Sequence, residues 1–230
     1  MGEQGIGARE RLPVVLMVLT VVSGFLDAVS FLGLGRVFTA NMTGNVVVVG
    51  FAAAGAPGFS AVASLTSLAG FLVGAVVAGR FAVAMKSRPA HRWFGGALVA
   101  EAALTGLAAA VASLVQGTAG RLAVIAVLAL AMGIRNASVR RAGVADLTTT
   151  VLTMTLTGLA ADSPLAGGAG PRAGRRAGAA VAMAAGAFVG AWFQLHHGVV
   201  RSLALCAIGV ALVAAVLLAH AELAARRSAR

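Results

Sequence analysis

The chain has 230 residues, 60% of them hydrophobic and only 11% charged, with a mean hydropathy of +0.95. These proportions exclude a soluble globular domain, because apolar runs of about 18 or more residues, long enough to cross a ~30 Å hydrocarbon core, recur along it. The formal net charge of +11 would suggest nucleic acid in a soluble protein, but arginines in short loops between apolar runs are topology signals, so no nucleic-acid partner is expected.

The first apolar run, 12–34, follows Arg9 and Arg11. It is too long for a signal-peptide core, contains Asp27 and lacks a small-residue cleavage site, so it reads as a retained span. Further spans are expected at 61–85, 93–115, 117–134, 178–195 and 203–223. Two shorter apolar pieces, 43–55 and 150–161, cover roughly 18–20 Å each as helix, about half a bilayer. Loop charge decides how they are counted. If neither crosses and the N-terminus is cytoplasmic, the clusters around Lys86, Arg135 to Arg141, Arg172 to Arg176 and the C-terminal arginines all face the cytoplasm. Only Arg36, Arg121 and Arg201 then lie outside. The expected fold is therefore an all-α polytopic membrane protein with six transmembrane helices and two re-entrant or broken half-helices. It forms one integral membrane domain, 1–230, multi-pass in a bacterial inner membrane, with both termini cytoplasmic.

Internal similarity orders these pieces. "GFLDA" (24–28) aligns with "GIRNA" (133–137), "TANMTGN" (39–45) with "TTVLTMT" (149–155), and "AGFLVGA" (69–75) with "AGAFVGA" (185–191). Each half, about 12–116 and 117–223, holds an odd number of crossings, so the second enters from the opposite face as a 3+3 inverted repeat. Discontinuous segments in inverted repeats are where transporters place binding sites. The blocks "SGFLDAVSFLGLGRVFTANMTGN" and "GIRNASVRRAGVADLTTTVLT", in this order, resemble the YoaK-like family of bacterial membrane proteins. That resemblance covers nearly the whole chain and implies a six-span inner-membrane protein, but the family is a domain of unknown function and implies no substrate. Where it leads one to expect a Thr-Gly pair in the second block, this chain has Thr153 and Met154.

Polar residues at membrane depth must be buried in protein or line a wet cavity. Thr39, Asn41, Thr43 and Asn45, with Asn136, Thr149 and Thr153 in the second half, are the candidate pathway or substrate-binding residues. The first group is expected to be extended up to about Thr43 and helical beyond, so that free N–H groups point at the midplane and favour an anionic or carbonyl-bearing solute. The competing reading is that they hold helices together. Asp27, well inside the first span, costs about 3 kcal/mol to insert as an ion. Arg36 and Arg135 are its candidate partners, and it is also a candidate for proton coupling. Glu101, about nine residues into its span, is the second proton-coupling candidate, or else a neutral acid locking two helices. Gly70 with Gly74 and Gly186 with Gly190 form GxxxG faces for contact between the halves or between subunits of a homo-oligomer.

Cys206 is the single cysteine, the four histidines are isolated or exposed, and no cofactor or metal is expected. No serine–histidine, paired-aspartate or HExxH arrangement occurs at membrane depth, so no enzymatic activity is expected. The remaining alternatives are a small-solute transporter or channel and a non-transporting scaffold or accessory subunit in the lipid bilayer.

Overall fold

The computed structural model describes residues 4–85, 90–142, 152–170 and 172–228. Within them the chain is helical: α1 (Gln4–Gly33), α2 (Met42–Ala53), α3 (Ala61–Ala84), α4 (Ala90–Leu114), α5 (Gly117–Ala142), α6 (Leu152–Ala161) and α7 (Ala173–Ser228), with a 3₁₀ turn at Pro164–Ala166. Five of these helices are long and apolar enough to cross a membrane, while α2 and α6 are not. The short pieces thus lie within one or two residues of their expected bounds.

One element differs from expectation. The two final spans are the two arms of α7, whose apolar stretch, Ala173–His220, is 48 residues long. At 1.5 Å per residue that is about 72 Å, more than twice a hydrocarbon core. It is not continuous in conformation, because Gly198 has φ 75 and ψ 176, which breaks the helix between two arms. Glycine alone takes that backbone without a steric penalty. The element that differs is α5, which runs on to Ala142 instead of stopping at 134 and so carries Arg135 inside the helix.

α1 packs on α7, α3 on α5, and α4 on both α5 and α7, while α2 and α6 lie against α3 and α7 respectively. Hydrophobic burial cannot drive this association, because lipid tails are as apolar as leucine; close packing must do it. The close packing occurs at glycines. A Cβ on Gly24 would meet the Met183 carbonyl, and one on Gly186 or Gly190 would meet the carbonyl of Val21 or Phe25. In the α3–α5 pair, a Cβ on Gly133 would meet the Phe71 carbonyl, and one on Gly70 or Gly74 the carbonyl of Ala126 or Leu130. All four GxxxG glycines are thus filled by backbone from the other half of the same chain. A homo-oligomer would need another surface.

The interior is built from Phe25, Leu26, Val29, Ile125, Leu128, Met132 and Leu203 in one cluster, and Leu16, Leu19, Phe94, Leu98 and Val139 in a second. Large apolar side chains such as Val46, Phe51, Leu72, Val76, Phe188 and Leu212 face outward. That inversion relative to a soluble protein is what a lipid solvent permits.

Candidate functional site

A turn at the end of α1 starts the site. Gly35 (φ 94) and Arg36 (φ 60) are both left-handed, and Arg36 N–H bonds the Phe31 carbonyl. The chain thereby folds back so that residues 39–41 lie beside Asp27. Asp27 Oδ1 accepts the backbone N–H groups of Thr39 (3.1 Å), Ala40 (2.8 Å) and Asn41 (3.4 Å). Asn41 is the N-cap of α2, extended at φ −99 and ψ 92, and its own side chain makes no capping bond. A carboxylate from another helix has taken over the capping role. Hydrogen bonds to a charged group contribute roughly 1.5–3 kcal/mol each, so three of them offset an insertion cost of about 3 kcal/mol.

Asn45 completes the fold-back. Its Oδ1 accepts Phe38 N–H at 2.9 Å and its Nδ2 donates to the Phe38 carbonyl at 2.7 Å. Ser67 Oγ on α3 donates to that same carbonyl at 2.7 Å. The Phe38 ring packs tilted against Phe31, with centroids 4.9 Å apart, and lies where a Cβ on Gly44 would be. The Thr-Gly-Asn sequence therefore has a local logic: Gly44 admits the ring and Asn45 holds the backbone. Thr39 is fully buried with Oγ1 3.4 Å from Ser30 Oγ, whereas Asn41 and Thr43 are both exposed.

In the second half Thr153 is exposed, while Thr155, which aligns with Asn45, is buried. The polar positions turned inward are thus 45 and 155, not 43 and 153. Asn136 is half-buried and donates Nδ2 to the Met132 carbonyl at 2.9 Å. Thr149 lies outside the described residues.

The second polar centre joins α1, α4 and α5. Arg135 Nη1 is 3.0 Å from Glu101 Oε1, with both side chains fully buried. Arg135 Nη2 donates to Ser23 Oγ at 2.6 Å, and Nη1 is 3.4 Å from the Leu19 carbonyl. This corrects two expectations. Arg135 is not a loop charge. Asp27 has neither proposed cation as an ion-pair partner among the described residues, since Arg135 binds Glu101 and the Arg36 guanidinium sits over the Phe59 ring at 5.3 Å. Helical phase carried a signal for Arg135, because buried Met132, Arg135 and Val139 continue one face of α5 beyond the expected span end.

Between these centres α1 presents Thr20, Ser23, Asp27 and Ser30, all buried. Ser23, Asp27 and Ser30 fall at i, i+4 and i+7, so they form one polar seam. Several buried atoms along it and opposite it have no hydrogen-bond partner among the described residues: Asp27 Oδ2, Glu101 Oε2, Thr105 Oγ1 and Arg135 Nε. Glu101 and Thr105 share a face of α4 one turn apart.

Such an arrangement, apolar helices around a buried polar seam, defines an integral membrane protein. The family described as protein of unknown function (DUF1275) matches residues 15–216, and the chain belongs to it. The UPF0700 transmembrane protein YoaK of Bacillus subtilis (strain 168) is 31% identical over 151 residues, 64% of this chain and 65% of that relative. The matched region therefore spans a little under two thirds of the relative's length. No solved structure matches the chain.

Proposed function

We propose that this protein is a small-solute transporter or channel of the bacterial cytoplasmic membrane, with the α1 seam as its pathway. The observation that carries the reading is the set of buried polar atoms at Asp27, Glu101, Thr105 and Arg135 that have no hydrogen-bond partner among the described residues. Unsatisfied polar atoms at membrane depth are costly, and a wet or solute-lined path is one arrangement that accommodates them.

The proposed architecture is six spans in a 3+3 inverted repeat, α7 supplying two crossings on either side of Gly198 and α2 and α6 the re-entrant half-helices. Its support is a correspondence in packing. Gly24, on α1, receives the helix bearing Gly186 and Gly190, just as Gly133, on α5, receives the helix bearing Gly70 and Gly74. These are the residues that the internal alignment pairs. Cytoplasmic termini follow from the arginine bias, which survives removing Arg135 from the loops.

The solute class shifts from the sequence reading. The N–H groups ahead of α2 are engaged by Asp27, so they do not offer an anion site. The open groups at Asp27 and Glu101 are carboxylate oxygens, which favour a neutral or cationic solute bearing hydrogen-bond donors, or a proton. No reaction or cofactor is assigned. The second reading, a scaffold, is favoured by Asn45, whose amide is engaged within the protein by the Phe38 backbone and the Met42 sulfur.

A thermal-stability screen of the purified protein separates the two, using polyols, sugars, amino acids, amines and nucleobases with Asp27→Asn and Glu101→Gln alongside. A ligand at a hundredfold excess over its Kd stabilises the folded state by about 2.7 kcal/mol. The transporter reading expects a solute that stabilises the parent and fails on a variant that remains folded. A parent indifferent to every solute, with both variants unstable, would leave the scaffold.

A further inference from the structure

We infer that the interfacial end of the α3–α5 pair is a binding site for an anionic phospholipid, unconnected with the seam. A cavity of about 270 Å³ lies there, lined by Ala78, Gly79, Ala82, Ala137, Arg140 and Arg141, with Ser138 at its back. Enclosed small-molecule pockets run from about 300 to 1,000 Å³. This one falls short and is open, so it suits part of a molecule whose remainder lies outside the protein.

Three observations identify that molecule. The cationic end is fixed at interfacial depth: Arg141 lies over the Trp93 ring at 6.0 Å, and tryptophan concentrates at the membrane–water boundary. Arg140 and Arg141 are exposed, and neither faces a carboxylate among the described residues. Below them the wall is reduced to Ala78, Gly79 and Ala82, flanked on α3 by outward-facing Val76, Val77 and Phe81. Nothing lies within 4 Å of where a Gly79 Cβ would project. An anion held at two arginines with a hydrocarbon chain running down an uncovered small-residue groove is a phospholipid with a net negative headgroup. A soluble phosphate would match the arginines and leave the groove unused. A second copy of the chain would match the groove and leave the arginines without a counter-charge.

Native mass spectrometry of the detergent-purified protein tests this, with dioleoyl phosphatidylglycerol or dioleoyl phosphatidylcholine added. The parent should retain phosphatidylglycerol over phosphatidylcholine by roughly tenfold or more, the order expected for two guanidiniums near one phosphate. Arg140→Gln with Arg141→Gln should bring the ratio near unity. Gly79→Leu should lower phosphatidylglycerol occupancy with both arginines intact. Arg121→Gln, at the opposite end of α5, should change nothing. Melting curves establish that each variant is folded. Equal retention of the two lipids by the parent, or an unchanged ratio in the folded double variant, overturns the proposal. So does displacement of the lipid by inorganic phosphate with no effect of Gly79→Leu, which would mean a plain anion site. A parent dimer that Gly79→Leu dissociates, with no lipid preference, would assign the groove to a second copy.

Discussion

Arg135 and Glu101 meet with no exposure at all, and each still leaves one polar atom unpartnered among the described residues. Breaking such a pair from one side strands a charge, which costs about 3–5 kcal/mol, whereas replacing both by apolar residues of similar volume is often neutral. We therefore expect Glu101→Leu or Arg135→Met to lower the melting temperature sharply, and the double variant to recover most of the loss. A thermodynamic cycle on the purified protein reads this coupling directly. If the two losses simply add, the pair is not the organising contact. Asn45 gives a second prediction at this scale. Asn45→Leu removes both bonds to Phe38 inside the protein, so a destabilisation of about 2–4 kcal/mol is expected. Thr43→Val, two residues away and without a buried side chain, should stay within about 0.5 kcal/mol of the parent by the same melting assay.

At the scale of elements the helices are held by where glycine sits. Gly186 and Gly190 meet α1 backbone directly, so Gly186→Val should separate α1 from α7 and abolish a cooperative melt. Gly50 and Gly209 have open space where a Cβ would project, with nothing within 4 Å. At these sites alanine is the better helix former by about 0.5–1 kcal/mol, and Gly50→Ala and Gly209→Ala should leave the melt unchanged or raise it. Tolerance of a side chain at Gly186 equal to that at Gly50 and Gly209 would refute the glycine account of packing. Gly198 acts differently, through conformation: its φ of 75 is left-handed, and Gly198→Ala is expected to strain the junction between the arms of α7.

Across the whole molecule, the proposed topology makes α7 cross twice. In a Cys206→Ala background, Arg201→Cys should react with a membrane-impermeant maleimide from outside intact cells. Ser228→Cys should react only after permeabilisation. Labelling of both from the same side would remove the second crossing and with it the 3+3 repeat.

Membrane residence, the helices, the two half-length segments and the glycine faces were all legible in the residues, because each depends on composition and periodicity over a local window. The inward set of polar residues was legible only in part. Asp27 and Glu101 stand out as charges in apolar runs, but Arg135 resembles a loop residue until α5 is seen to continue past it. Thr43 and Asn45 differ by two positions on a helix whose surroundings are apolar on every side, so the sequence offers no rule for which faces inward.

Partner choice belonged to the tertiary structure. Asp27 meets N–H groups twelve to fourteen residues away because a left-handed turn reverses the chain. Arg135 meets Ser23 from 112 residues away because α5 is rotated to face α1. Composition sets the solvent each helix tolerates, and periodicity sets which residues share a face. Only the packing of the helices decides which faces meet, because in lipid one apolar face attracts another no more than it attracts the hydrocarbon around it.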